Sequence, residues 1–117
     1  MGRSAINEVY QPQWGDIYIA DLGERKNRPV IVIQNNSGNH FSGNIIVVPL
    51  TSQKKNDQPT HVHIPTKCGL RYPSTALCET ILTISKENLL RWKGTVSGYP
   101  QEHKLRKAIE ISLNLSD

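Results

Sequence analysis

The sequence predicts a mainly β fold: a small, strongly curved antiparallel sheet or barrel followed by one C-terminal α-helix. Six short strand-like segments, bounded by Gly, Pro, Asn and Ser, are spaced through the first hundred residues. No helix alternates with them, which excludes a doubly wound βαβ architecture. A single amphipathic stripe follows at the C-terminus. At 117 residues the chain supports one domain with one core, expected over residues 14–117 behind a polar, flexible extension at residues 1–13.

Trp14-Gly15 introduces the first strand, Asp16 to Leu22, and the turn-rich Gly23–Asn27 leads to the second, Pro29 to Gln34. Pro29 has a fixed φ and no N–H to give to a ladder, so it belongs at a strand start. Asn35-Asn36-Ser37-Gly38-Asn39 reads as a turn. Asn44 to Leu50 is the third strand, and its unbroken apolar run implies burial on both faces. Thr51 to Thr60 is a polar, lysine-bearing loop. Thr60 to Ile64 alternates like a strand, and Thr75 to Ile84 reads as one further strand. Ser85 to Leu90 suits a short helical turn with Ser85 as its cap. Lys93 to Val96 makes the last strand.

The tail is the clearest helix. Pro100 fits a first helical position, with Glu102 in the first turn. Leu105, Ala108, Ile109, Ser112 and Leu113 then follow the i, i+3, i+4, i+7, i+8 spacing of one helical face. That face is expected to pack on the sheet rather than on a membrane or a partner.

Composition narrows the classes of function. The longest apolar run, Ile45 to Leu50, contains Pro49 and falls far short of the ~20 residues of a membrane span. Residues 1–14 hold no apolar stretch of a secretory signal, so a cytoplasmic protein without membrane contact is expected. Cys68 and Cys78 lack the spacing of a zinc site and read as reduced thiols, with one disulfide as the alternative. His61 and His63 would share a strand face, but two ligands without a third do not make a metal site, and no cofactor is expected. Glycine-rich phosphate loops, nucleophile elbows and zinc-protease motifs are absent. Between Arg25 and Arg71 the chain carries +6, against +4 overall, so the remainder is −2. Arg25, Lys26, Lys54, Lys55, Lys67 and Arg71 fall mainly between strands, where they can converge on one rim as a footprint for a polyanion. The plainer reading is a solvated basic surface.

The chemistry-bearing constellation is Arg28 at the mouth of one strand and Thr51 at the exit of the next, with Ser52 and Gln53 beside Thr51. Neighbouring strands lie ~4.8 Å apart, so these ends can meet. A rigid guanidinium fork beside a hydroxyl suits one phosphate group. Taken singly, Arg28 could instead pair with Asp16 or Asp21, and Thr51 could be an ordinary turn hydroxyl.

At these points the chain resembles the MazF/PemK family of toxin endoribonucleases. Trp14-Gly15-Asp16-Ile17-Tyr18 is similar to the family's opening strand, Arg28-Pro29-Val30-Ile31-Val32 to its second, and Val48-Pro49-Leu50-Thr51-Ser52-Gln53 to its strand-end Thr motif. Thr60-His61-Val62 and Lys93-Gly94-Thr95-Val96 also have counterparts, in the same order. The resemblance implies an SH3-like barrel of the CcdB/MazF kind with a C-terminal helix, and a two-fold homodimer. It further implies sequence-specific, metal-independent cleavage of single-stranded RNA (an mRNA interferase), and neutralisation by a MazE-like antitoxin in a type II toxin–antitoxin system. Arg28 and Thr51 occupy the family's catalytic positions. Glu24 stands where the family has a loop carboxylate, one residue out of place in a shortened Gly23–Asn27 loop. Thr80 replaces a base-contacting amide, so the target sequence is not inherited. The expected RNA contacts are Arg25, Lys26, Ser52, Gln53, Lys54, Lys55, Lys67, Arg71 and Thr80.

Two other classes share the fold. CcdB-like toxins act on DNA gyrase without this Arg/Thr pair, and an SH3-like nucleic-acid-binding module would need only the basic rim.

Overall fold

The longest strand, β3 (Asn44–Thr51), is the axis on which the sheet is built. In the computed structural model, which describes residues 11–23 and 27–115, it lies beside β2 (Arg28–Val32), which in turn pairs with β1 (Asp16–Ala20). β4 (His61–Ile64) pairs with β5 (Ser74–Leu77), β5 and β6 (Leu82–Ser85) both pair with β3, and β7 (Leu89–Thr95) pairs with β1. Every pairing is antiparallel. Among the described residues no ladder joins β7 to β4 or β6, so the sheet curves strongly without closing into a barrel.

Both faces of the central strands are buried, as the apolar run in β3 implies. On one face Ile17, Ile31, Val48 and Leu50 meet Val62, Ile64 and Ala76 of the β4–β5 hairpin and Leu105 and Ala108 of the C-terminal helix. On the other, Tyr18, Ala20, Val30, Val32, Ile45 and Val47 pack under Leu22, Leu82, Ile84 and Leu89. Each fully buried aliphatic side chain contributes on the order of 1.5–3 kcal/mol of transfer free energy. Pro49 lies in this central strand, where a proline ordinarily costs a ladder bond. It falls at a junction: on the far side from β2, β3 pairs with β6 up to Val47 and with β5 from Leu50, leaving Val48 and Pro49 between the two ladders.

Four elements differ from the sequence reading. The single strand expected over Thr75–Ile84 is interrupted. Val47 to Leu50 spans three steps of β3, whereas the matching Ala76 to Leu82 spans six, and the excess forms a turn in which Thr80 N–H donates to the Leu77 carbonyl at 3.0 Å. Apolar residues on both sides of that turn hide it from periodicity. The Asn35–Asn39 turn is the start of a short helix, α1 (Asn36–Phe41). Asn35 accepts from Gly38 N–H at 2.8 Å, and the buried Asn39 donates to the Gln34 carbonyl at 2.9 Å, so asparagine side chains rather than an apolar stripe hold it. The turn after β6 is limited to Lys86–Asn88, and Ser85 makes no side-chain cap bond. Leu89 and Leu90 join β7 instead, which starts four residues before the expected Lys93. Finally, the C-terminal helix α2 (Pro100–Ser112) buries Leu105 and Ala108, but Leu113 caps its end half exposed.

The N-terminal extension lies outside the described residues up to residue 10. Residues 11–13 are tied to the sheet rather than frayed: Gln11 accepts from Lys86 Nζ at 2.8 Å, and Gln13 N–H donates to the buried Asp16 carboxylate at 2.9 Å. Trp14 carries the Arg106 guanidinium of α2 over its ring at 3.8 Å, a cation–π contact that pins the helix. Cys68 and Cys78 are free and buried. Burial, helped by the Glu79 charge, pushes the Cys78 thiol up to about 12.

One contact closes the gap that hydrogen bonding leaves open. The 3₁₀ turn Thr66–Cys68 and the Gly69 that follows it cross β7 at Gly94, backbone against backbone. A Cβ on Gly94 would collide with the Cys68 carbonyl, and Gly69, at φ +116°, would collide with that of Lys93. Only glycine permits this approach.

Candidate active site and RNA groove

Continuing the β2–β3 register from Val30↔Pro49 by two residues sets Arg28 opposite Thr51. Opposed residues of antiparallel strands project to the same face, so the two side chains meet where the strands end. Arg28 Nη2 donates to the Leu50 carbonyl at 3.0 Å, which fixes the guanidinium beside Thr51 and leaves its other donors toward the groove. Among the described residues Arg28 forms no ion pair. Asp21 accepts from Gly23 N–H at 2.8 Å, and Asp16 from Gln13 N–H at 2.9 Å. Thr51 Oγ1 accepts from Gln53 N–H at 3.2 Å. That is the turn role expected of a hydroxyl at this place, and it leaves the hydroxyl proton to donate elsewhere.

A groove of about 560 Å³ opens over this pair. Arg28, Thr51, Ser52, Gln53 and Arg71 line it together, as do Arg91 and Lys93 of β7 and Tyr72. Among the described residues no carboxylate lines it. Tyr72 is 59% exposed, and the Arg71 guanidinium sits 5.6 Å from its ring centroid. An exposed aromatic edged by arginine is a platform on which a base can stack. A second cleft of about 280 Å³ adjoins through Thr51, Ser52, Gln53 and Ser74 and carries Lys54, Lys55, His61 and His63, with Asp57 as the one acid among the described residues that line it.

Two expected contacts stand outside these clefts. Lys67 lies 5.8 Å from the ring centroid of Tyr99, and Thr80 sits in the turn between β5 and β6. Glu24, Arg25 and Lys26 lie outside the described residues. Arg91, Lys93 and Tyr72 were missed by the sequence reading. Arg91 and Lys93 share the i, i+2 spacing of one strand face, a signal hidden because β7 was expected to start only at Lys93.

His61 has a partner at each ring nitrogen. Its Nδ1 meets the Asn56 carbonyl at 3.1 Å and its Nε2 the Glu79 carboxylate at 3.1 Å. Among the described residues no group of three or more His, Cys, Asp or Glu is placed to hold a metal. Glu79 also accepts from Thr60 Oγ1 at 3.0 Å. Partial burial works to raise the Glu79 carboxyl, but its backbone hydrogen bond and the His61 and Thr60 contacts outweigh it and hold the group below its ordinary value.

Known proteins are similar to this chain over most of its length. Residues 13–113 match the family described as PemK-like, MazF-like toxins of type II toxin–antitoxin systems. Endoribonuclease EndoA of Bacillus subtilis is 42% identical over 111 residues, covering 88% of this chain and 95% of that protein. Endoribonuclease MazF of Staphylococcus saprophyticus is 38% identical, over 86% of this chain and 90% of its own length. Among solved structures, Mycobacterium tuberculosis toxin MazF-mt6 superposes with a TM-score of 0.77 at 29% identity, covering 87% of this chain and 99% of its own. A mycobacterial endoribonuclease in complex with its cognate antitoxin superposes at 0.81 and 25% identity, covering 91% of this chain and 98% of its own. With its strand order, its Arg28–Thr51 pair and these relatives, the chain belongs to the PemK-like, MazF-like toxin family of type II toxin–antitoxin systems.

Proposed function

We propose that the protein is a sequence-specific endoribonuclease that cuts single-stranded RNA without a metal ion. The observation that carries this reading is the Arg28–Thr51 pair in a groove that Arg71, Arg91 and Lys93 also line. RNA brings its own nucleophile. The 2′-oxygen attacks the adjacent phosphorus, the P–O5′ bond breaks, and the products are a 2′,3′-cyclic phosphate and a 5′-hydroxyl. One proton leaves the 2′-oxygen and one reaches the 5′-oxygen. Charge accumulates on the phosphoryl oxygens at the transition state, and a pre-fixed guanidinium with an adjacent hydroxyl stabilises it without reorganising. Arginine holds its proton too tightly to be a ready general acid, so Arg28 is assigned to charge rather than to proton transfer. Glu24, in the loop before Arg28, is the candidate base.

The same reading makes the protein a cytoplasmic toxin, silenced by a MazE-like antitoxin whose acidic segment competes with RNA for the groove. EndoA and the Staphylococcus saprophyticus MazF carry the name endoribonuclease, and one structural neighbour is a complex with an antitoxin. A homodimer is supported by β7, the last strand of the sheet order among the described residues, which exposes Leu90 at 53% and Trp92 at 39%. Retention of the Arg/Thr pair favours RNA cleavage over a gyrase-directed or purely binding role. The test is incubation with a long single-stranded RNA in EDTA. Discrete fragments ending in cyclic phosphate are expected, and intact RNA would reject the assignment.

A further inference from the structure

Between Ser52 and Gln58 the chain forms neither ladder nor helix, yet this segment carries Gln53, Lys54 and Lys55 into the clefts beside the Arg28–Thr51 pair. Something must hold it there. At its start, Gln53 N–H is bound to Thr51 Oγ1. At its far end both anchors belong to one residue: His61 N–H donates to the Gln58 carbonyl at 2.9 Å, and the His61 ring meets the Asn56 carbonyl at 3.1 Å. The other ring nitrogen is held by Glu79, whose second carboxylate oxygen accepts from Thr60. Thr60 is bound in turn through its own carbonyl to Cys78 N–H at 2.9 Å. The loop is thereby fastened to the β4–β5 hairpin through a single residue, by its backbone N–H at Gln58 and by its side chain at Asn56. That side chain is 9% exposed while its Glu79 partner is 45% exposed, so the imidazole is walled in and little able to swing away.

We propose that His61, oriented by Glu79, is a positioning residue that holds the Ser52–Gln58 loop against the RNA groove and so sets RNA binding rather than the chemical step. Neither residue is among those lining the groove over Arg28, whereas His61 lines the adjoining cleft with Lys54 and Lys55, so the clamp acts through the placement of those lysines. The kinetic part of this inference rests on the ribonuclease reading. The structural part does not.

Lys54-Lys55 provides a direct readout, because trypsin cleaves after lysine and local opening of a loop governs its nicking. The full-length protein is treated with trypsin and the fragments are assigned by mass. His61→Ala and Glu79→Ala should each raise nicking at Lys54-Lys55 by roughly three- to ten-fold while nicking after Lys67 and Arg71 stays at the wild-type rate. Glu79→Gln keeps an oxygen for His61 and should stay near wild type. The double variant His61→Ala/Glu79→Ala should be no worse than either single one, because both break the same clamp. In RNA cleavage, KM should rise several-fold with kcat within about two-fold of wild type.

Unchanged nicking at Lys54-Lys55 would overturn the clamp, as would additive effects in the double variant or a fall in kcat with KM unaltered. If His61→Ala raises nicking at all sites together, it has unfolded, and the comparison of Glu79→Ala with Glu79→Gln decides instead. If nicking follows the expected pattern while the wild-type protein cuts no RNA, the clamp stands and the ribonuclease reading falls.

Discussion

Arg28 and Thr51 stand opposite each other at the ends of β2 and β3, and the Arg28 guanidinium is fastened by Nη2 to the Leu50 carbonyl at 3.0 Å. Ordinary strand pairing thus delivers a fixed fork of donors to a hydroxyl on the neighbouring strand. Among the described residues the fastening uses a backbone oxygen rather than a carboxylate, which holds the positive charge in place without neutralising it. Such a group suits a transient dianion better than a stable salt bridge.

Arg28→Ala should lower kcat by roughly 10²–10³, the usual cost of losing one preorganised oxyanion donor. Arg28→Lys should recover little, since an ammonium lacks the fork. Thr51→Ala should also be severe. Steady-state cleavage of a fluorogenic RNA checks all three, with thermal melting alongside: a large fall in Tm for Arg28→Ala would assign the residue to stability instead.

The basic groove should show itself as salt dependence. Changing Lys54 and Lys55 together to Gln removes two phosphate contacts, which should reduce the slope of log K against log salt by about 1.4 for single-stranded RNA. Changing Arg91 and Lys93 together to Gln should weaken binding in the same sequence-independent way, because both line the groove over Arg28. Fluorescence anisotropy over a salt series measures the slopes. Slopes equal to wild type would place the RNA elsewhere.

Glu79 gives a pH dependence with a definite sign. Its folded-state carboxyl titrates below its ordinary 4.5, so the stability it contributes is present in full above that value and is lost as pH falls through the lower, folded value. Urea unfolding of wild type and Glu79→Gln should therefore show a wild-type advantage near neutrality that shrinks as pH falls below 4.5. Parallel profiles across that range would contradict the assignment.

Gly94→Ala should be among the most damaging single-methyl additions in the chain. The new Cβ would collide with the Cys68 carbonyl, a backbone atom that cannot rotate away. Overpacking of this kind costs roughly 1–3 kcal/mol or more, read as a lowered urea midpoint at constant m value. A midpoint unchanged from wild type would mean that the crossing of β7 over Gly69 relaxes freely.

β1 to β4 and α2 were legible because their apolar periodicities are bounded by Gly, Pro and Asn. β3 announced its burial on both faces through an unbroken Ile, Val and Leu run. α1 was not legible, since Asn35 and Asn39 hold it by side-chain bonds that leave no apolar stripe. The break between β5 and β6 was masked by apolar residues on both sides, and the first half of β7 by its exposed Leu90, Arg91 and Trp92. The meeting of Arg28, Thr51, Ser52, Gln53 and Arg71 in one groove could be read from strand ends and spacing. The addition of Arg91, Lys93 and Tyr72 could not, because it depends on how β7 pairs with β1 and how the Gly69 turn crosses it.

The central claim is that RNA supplies the nucleophile and Arg28 with Thr51 stabilises the transition state. Its most direct measurement is cleavage, in EDTA, of one RNA oligonucleotide containing the target site against the same strand with hydrogen replacing the 2′-hydroxyl at the scissile nucleotide alone. The RNA should be cut to a 2′,3′-cyclic phosphate and a 5′-hydroxyl while the 2′-deoxy strand binds but stays intact. Cutting of the 2′-deoxy strand at a comparable rate would contradict the account.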